Sequence, residues 1–198
     1  MDHTYYDFAA FEPVERYRIM ANAITPRPIA FITTRSAAGV ANAAPFSFFG
    51  LLSHDPATLA VGIEPRLDGR RKDTAQNILE TGVFTVHIAD VALAAQMDAC
   101  GAPVEPDVDE LSLSGLPVTS GQNIDVPRIL TAPLAMECRL HSSIELGPAR
   151  DVIIGSILGL FVRSTAVDAD GRFIQQELDV ITRVGGGAYA TSRDLFSV

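Results

Sequence analysis

Short apolar runs, many alternating with polar residues at a period of two and bounded by Gly, Pro, Asn, Asp and Ser, recur along the chain and predict strands. Residues 29–34 (IAFITT) read as a strand by β-branched and aromatic content, 36–39 as a turn, and Val40 onward as a returning strand into Ala43-Ala44-Pro45-Phe46. Proline cannot donate to a ladder, so Pro45 should end the pairing or mark an edge. Residues 46–50 are then expected to bulge away from the sheet with free N–H groups. Residues 58–63 form a third expected strand, 74–81 a helix stopped by Gly82, and 83–88 a fourth strand. Residues 91–99 suggest a short alanine-rich helix. A long irregular excursion follows over 101–127, punctuated by Pro103, Pro106, Pro117 and Pro127, and loops of that length are usually functional or packed on a partner. Residues 134–146 and 152–167 read as a long hairpin around Gly147-Pro148-Ala149-Arg150, followed by a turn at 168–171.

Residues 1–23 stand apart as an arm. Pro13 breaks it, and Val14, Tyr17, Ile19 and Met20 offer a short amphipathic patch of a helical turn or two. Residues 24–198 then form one domain. Strands at short spacing with two short interrupting helices favour a mainly β, mostly antiparallel barrel over a doubly wound sheet. The stretch 152–162 (VIIGSILGLFV) is well short of the ~20 residues a membrane helix needs, and reads as a strand buried on both faces, in a barrel wall or a subunit interface. Composition narrows the class further. The chain of 198 residues is 47% apolar with a formal charge of −9, which argues against broad nucleic-acid binding. Cys100 and Cys138 are far apart and the N-terminus has no signal-like apolar run, so a cytoplasmic protein without membrane or nucleic-acid partners is the expectation.

Several familiar sites are absent from the sequence: no G-x-x-x-x-G-K, H-E-x-x-H or G-x-S-x-G occurs, and Gly185-Gly186-Gly187 lacks dinucleotide-fingerprint spacing. His3, His54, His87 and His141 sit at no metal-ligand spacing, so no metal is expected, and His87 alternates within a strand as a packed or interface residue. The acidic residues Glu105, Asp107, Asp109 and Glu110, and the pair Asp168 and Asp170, fall in Pro- or Gly-marked loops and are expected to be solvated. No catalytic acid or base is assigned.

One constellation remains. Lys72 is the only lysine in an arginine-using chain and closes the basic stretch 66–72, directly before a helix start in which Asp73 or Thr74 is the expected N-cap, with Gln76 completing a capping box. A compact ammonium beside a helix N-terminus suits a phosphate; on local sequence alone, a chance lysine in a solvated loop is an equal alternative. Asn42-Ala43-Ala44-Pro45-Phe46-Ser47 adds small residues for close approach to a planar ring and polar groups for its edges. A planar apolar ring with polar edges and a terminal phosphate describes flavin mononucleotide (FMN).

The ordered motifs TPRPIAFITT (25–34), ANAAPFSFFG (41–50), RRKDTAQNI (70–78) and RVGGGAYAT (183–191) resemble the flavin reductase-like, FMN-binding split β-barrel family, over most of the chain from Ile24 to Thr191. The resemblance implies a six-stranded antiparallel Greek-key split barrel with short flanking helices, a homodimer with FMN near the interface, and a cofactor site drawn from Arg27, Pro28, Asn42, Ala43, Ala44, Pro45, Phe46, Ser47, Arg71, Lys72 and Thr74. Within it, Arg71, Lys72 and Thr74 would meet the phosphate, Asn42 to Ser47 the ring and ribityl chain, and Gly185 to Gly187 with Tyr189 the ring's far side. Gly155-Ser156 departs from the family, whose members often carry an acid after that glycine. The implied reaction is hydride transfer from NADH or NADPH to flavin, with a monooxygenase or redox protein as downstream partner. A flavoredoxin-like electron carrier is the alternative, followed by a barrel that binds pyridoxal phosphate or haem, or a scaffold without cofactor.

Overall fold

The computed structural model describes residues 2–105 and 107–196. Met1, Pro106, Ser197 and Val198 lie outside them, and with them the expected loop proline at 106 and the domain's end at 198. In chain order the elements are α1 (Pro13–Ala23), β1 (Arg27–Pro28), β2 (Ala30–Arg35), β3 (Ala41–Phe46), β4 (Phe48–His54), β5 (Ala57–Ile63), α2 (Asp73–Thr81), β6 (Val83–Ile88), α3 (Ala94–Ala99), α4 (Glu110–Ser114), β7 (Val118–Thr119), β8 (Arg128–Ile129), β9 (Leu134–Gly147), β10 (Arg150–Val162), α5 (Gln175–Leu178), β11 (Ile181–Arg183) and β12 (Tyr189–Thr191).

Seven strands form the main antiparallel sheet in the order β3-β2-β6-β9-β10-β5-β4. β3 and β4 are its two opposite edges, yet only Ser47 separates them in the chain. The sheet must therefore curl until its edges meet at Ser47, which makes it a split β-barrel. A small sheet, β1-β11-β12, stands beside it.

β2 is buried on both faces and divides the core. Ala30 and Ile32 face a cluster with Val61, Ile78, Phe84, Cys138 and Ile153. Phe31, together with Ile29 just before the strand, faces the opposite cluster with Leu93, Met97, Leu111 and Ile181, under α3 and α4. His87, on β6, is fully buried: its Nδ1 lies 3.0 Å from the Phe31 carbonyl and its Nε2 accepts the Ile129 N–H at 3.0 Å. That pair of partners fixes the Nδ1–H tautomer, and burial pushes its pKa down to about 4. It is a packed histidine, as its alternation suggested.

The structure revises several boundaries. Residues 46–50 do not bulge away; Pro45 is tolerated because β3 is an edge, and beyond Ser47 the chain enters β4, paired with β5. This gives a seventh strand where six were expected. Pro13 does not break the arm but occupies the first position of an eleven-residue α1, where its missing N–H is no loss, behind a reciprocal Glu12–Glu15 capping box. The 101–127 excursion contains α4 and β7. Within one chain β10 is buried on one face only: Ile153 is fully buried, whereas Leu158 and Leu160 are exposed.

Candidate functional site

Lys72 itself is the N-cap of α2, one residue earlier than expected, and no side chain caps that helix start. Gln76 turns instead to Glu80, at 2.5 Å. The N–H groups of the first turn therefore have no side-chain cap, and Asp73 and Thr74 of that turn line the adjoining cavity. This cavity, of about 430 Å³, is lined by Asn42, Ala44 and Pro45 from β3, by Arg66 and Lys72, and by the 100–104 turn and Glu110.

The arginines of the basic stretch are each paired with a carboxylate. Arg66 bonds Asp73 at 2.9 Å and the Val104 carbonyl at 2.8 Å. Arg70 bonds Asp68 at 2.7 Å, and Arg71 forks onto Asp151 at 2.8 and 3.2 Å. Among the described residues Lys72 alone of this basic stretch has no ion-pair partner; its ammonium lies 5.5 Å from the centre of the Phe46 ring. Burial, then the nearby Arg66, hold its pKa below the usual lysine value against the opposing pull of Glu110, so an anion arriving there meets a desolvated cation without an ion-pair partner.

Glu110 was expected to be solvated, and the structure overturns this. It is 8% exposed, and its carboxylate accepts the Ala43 N–H at 2.7 Å. With its amide nitrogen turned toward the acid, Asn42 donates to Glu110 at 3.1 Å and accepts from the Thr74 hydroxyl at 2.9 Å, an orientation inferred from the surrounding donors and acceptors. Burial raises the Glu110 pKa to about 7 against the lowering effect of the Ala43 bond. The local signal was a short helix written as Asp109-Glu110-Leu111 with Gly115 behind it: Asp109 caps at 3.1 Å through Ser112 N–H, and Leu111 turns into the core.

A second cavity of about 450 Å³ shares Pro45, Gly101 and Ala102 with the first. Phe46, Ser47, Tyr17 of α1, Met97, Arg183 and Tyr189 line it. The two form one cleft with a cationic end and an aromatic end.

The structure thus brings Asn42, Ala44, Pro45, Lys72 and Thr74 to the first cavity and Phe46 and Ser47 to the second. It keeps four others out of both. Ala43 is fully buried with its N–H given to Glu110, so that N–H is not free as expected. Pro28 is exposed in β1. Arg71 faces the β9–β10 hairpin through Asp151. Arg27 is spent on the carbonyls of Ala21 and Ile24, the latter at 2.8 Å, and steadies Ser47 Oγ at 3.3 Å; it ties α1 to the barrel and reaches the cleft only through Ser47.

Residues 20–179 match the model of the flavin reductase like domain. The chain belongs to that family. It is 37% identical, over all of its length and 90% of the other chain, to an uncharacterised protein of Deinococcus radiodurans. Among solved structures it resembles nitrilotriacetate monooxygenase component B from Bacillus cereus, at 30% identity with both chains fully covered and a TM-score of 0.95. It also resembles the 2-nitrobenzoate 2-nitroreductase NbaA of Pseudomonas fluorescens, at 29% identity over 98% of this chain and 95% of that one, with a TM-score of 0.89.

Proposed function

We propose that this protein is an FMN-dependent oxidoreductase that takes hydride from NADH or NADPH and passes reducing equivalents to an acceptor, with a monooxygenase as a suitable partner. The observation that carries this reading is the lone lysine: Lys72, without an ion-pair partner and half-buried beside an uncapped helix start, next to an Arg66 already matched to Asp73. A single phosphate satisfies that site, which favours the mononucleotide. Lys72 and the Thr74 hydroxyl would hold the phosphate, Ala44, Pro45 and Gly101 leave room for the backbone to approach a flat ring, and Ser47, steadied by Arg27, offers a hydroxyl at the ring edge. The flavin supplies the hydride and electron chemistry when bound. The protein's work is then placement and exclusion of water. The second cavity, adjoining the first, favours a reductase that takes a small co-substrate over a carrier that meets only proteins. Exposed leucines on β4 (Leu51, Leu52) and on β10 (Leu158, Leu160) support a dimer that covers them.

Titration with FMN, followed by NADH and NADPH oxidation with the flavin present, tests the reading. Lys72→Met should weaken FMN binding about ten- to hundredfold, the value of a charge-assisted phosphate contact, while costing the flavin-free protein no more than the Lys72–Phe46 contact, about 0.5–1 kcal/mol. Unchanged FMN affinity in that variant refutes the phosphate site. Saturable FMN binding with nicotinamide oxidation no faster than a blank would leave an electron carrier instead.

A further inference from the structure

The aromatic end of the cleft carries a cation that the cofactor reading leaves unused. Arg183 ends β11, and its guanidinium lies 4.6 Å over the Tyr189 ring with the side chain 31% exposed. Stacking holds the planar fork in one orientation before any ligand arrives. Its nearest carboxylate, Asp98, stands 3.9 Å away, beyond hydrogen-bonding distance, and already accepts the Tyr189 hydroxyl at 2.6 Å. The other arginines around the cleft differ, because Arg27 and Arg66 both spend their donors on protein acceptors. Arg27 is also the cross-strand partner of Arg183, yet it does not line the cavity, which leaves Arg183 as its one cation among the described residues. Asp98 is the one carboxylate among the described residues lining the cavity. Tyr17, Phe46 and Met97 supply flat or adaptable apolar surface around the same space.

We propose that Arg183 is the specificity-determining cation of this second cavity: it receives the anionic group, a carboxylate or a phosphate, of a planar second ligand whose ring lies among Tyr17, Phe46 and Met97. The inference rests on the first cavity being the cofactor's, which leaves the second for the co-substrate. A guanidinium fork matches either anion with two parallel bonds, and the apolar walls reject a ligand that is charged throughout.

The test uses two pairs that differ by one anionic group on the FMN-loaded protein: benzamide against benzoate, and NADH against NADPH, which adds one phosphate. Binding is read from the flavin absorbance change. The benzoate pair is repeated on flavin-free protein through tyrosine fluorescence, which this tryptophan-free chain permits. The expected result is a preference for the more anionic member of at least one pair, on the order of tenfold or more, erased in Arg183→Gln and partly kept in Arg183→Lys. FMN affinity should stay within about twofold in both variants, which also shows that they fold. A benzoate preference identifies a carboxylate ligand, and an NADPH preference a phosphate. Equal affinities within both pairs in the wild type overturn the proposal, as does a preference that survives Arg183→Gln. Failure of the cofactor reading is separate: the wild type would then not bind FMN at all, and the fluorescence titration would still decide the role of Arg183.

Discussion

Replacing Glu110 by glutamine isolates the energetic consequence of a carboxyl group buried in the cleft. The folded protein holds this acid at a pKa of about 7, against 4.5 for a solvated glutamate of the unfolded chain. The folded state therefore binds the extra proton between these values, and stability falls as pH rises from 4.5 to 7. A difference of that size amounts to about 3 kcal/mol in full, of which about 2 kcal/mol develops between pH 5 and pH 8. Glutamine keeps an oxygen to accept the Ala43 N–H and cannot ionise. Urea unfolding of the wild type and Glu110→Gln at pH 5 and pH 8 measures the effect: the variant should gain about 2 kcal/mol relative to the wild type at pH 8 over its standing at pH 5. Groups titrating alike in both proteins, His87 included, drop out of that difference. A gap between the two proteins that is the same at both pH values would refute the burial argument, and with it the claim that Glu110 belongs to the cleft wall.

In Glu110→Gln the His87 contribution should stand uncovered: the neutral ring is favoured in the fold, so stability present above pH 6.5 is lost as pH falls toward about 4, by up to about 3 kcal/mol in urea titrations. In the wild type the two slopes oppose one another between pH 4.5 and 6.5, and their sum should be flatter than either. Arg71→Ala should lower stability by about 2–3 kcal/mol, because it strands the nearly buried carboxylate of Asp151, while FMN affinity stays unchanged; a loss of FMN affinity would return Arg71 to the site. Gly155→Ala should cost about 1–3 kcal/mol by thermal or urea unfolding, since the added methyl would overlap the ring of fully buried Phe84.

Local pattern carried much of the fold. The period-two run of β6 and the left-handed Gly82 that ends α2 are contained in a few adjacent residues, so both boundaries could be read directly. β4 could not, because Pro45 looks the same at a strand's end as on an edge strand; only the closure of the sheet at Ser47 decides between them. The apolar run of β10 likewise cannot say whether its second face meets protein or solvent. In the site, Asn42, Pro45, Ser47 and Thr74 were legible because they lie within two short segments that reach the cleft as units. Glu110 was not, because its burial comes from a bond to Ala43, 67 positions away. No composition rule for loops contains that contact.

The basic stretch shows why the single lysine was the informative residue within it. Arg66, Arg70 and Arg71 lie beside Lys72 in the sequence, and the fold matches each arginine to a carboxylate: Asp73, Asp68 and Asp151. A guanidinium fork is suited to such fixed bidentate or bridging contacts, and three of them fasten the loop between β5 and α2 to itself, to the helix start and to the base of the β9–β10 hairpin. Lysine, with its point charge on a flexible stem, forms none of these contacts here and is left against Phe46 at the helix mouth. The arginines therefore hold the loop in the shape that exposes the helix start, and the lysine is the charge that shape presents to a ligand. On this division of labour, an arginine variant acts first on the stability of the loop it fastens, whereas a lysine variant acts first on anion affinity.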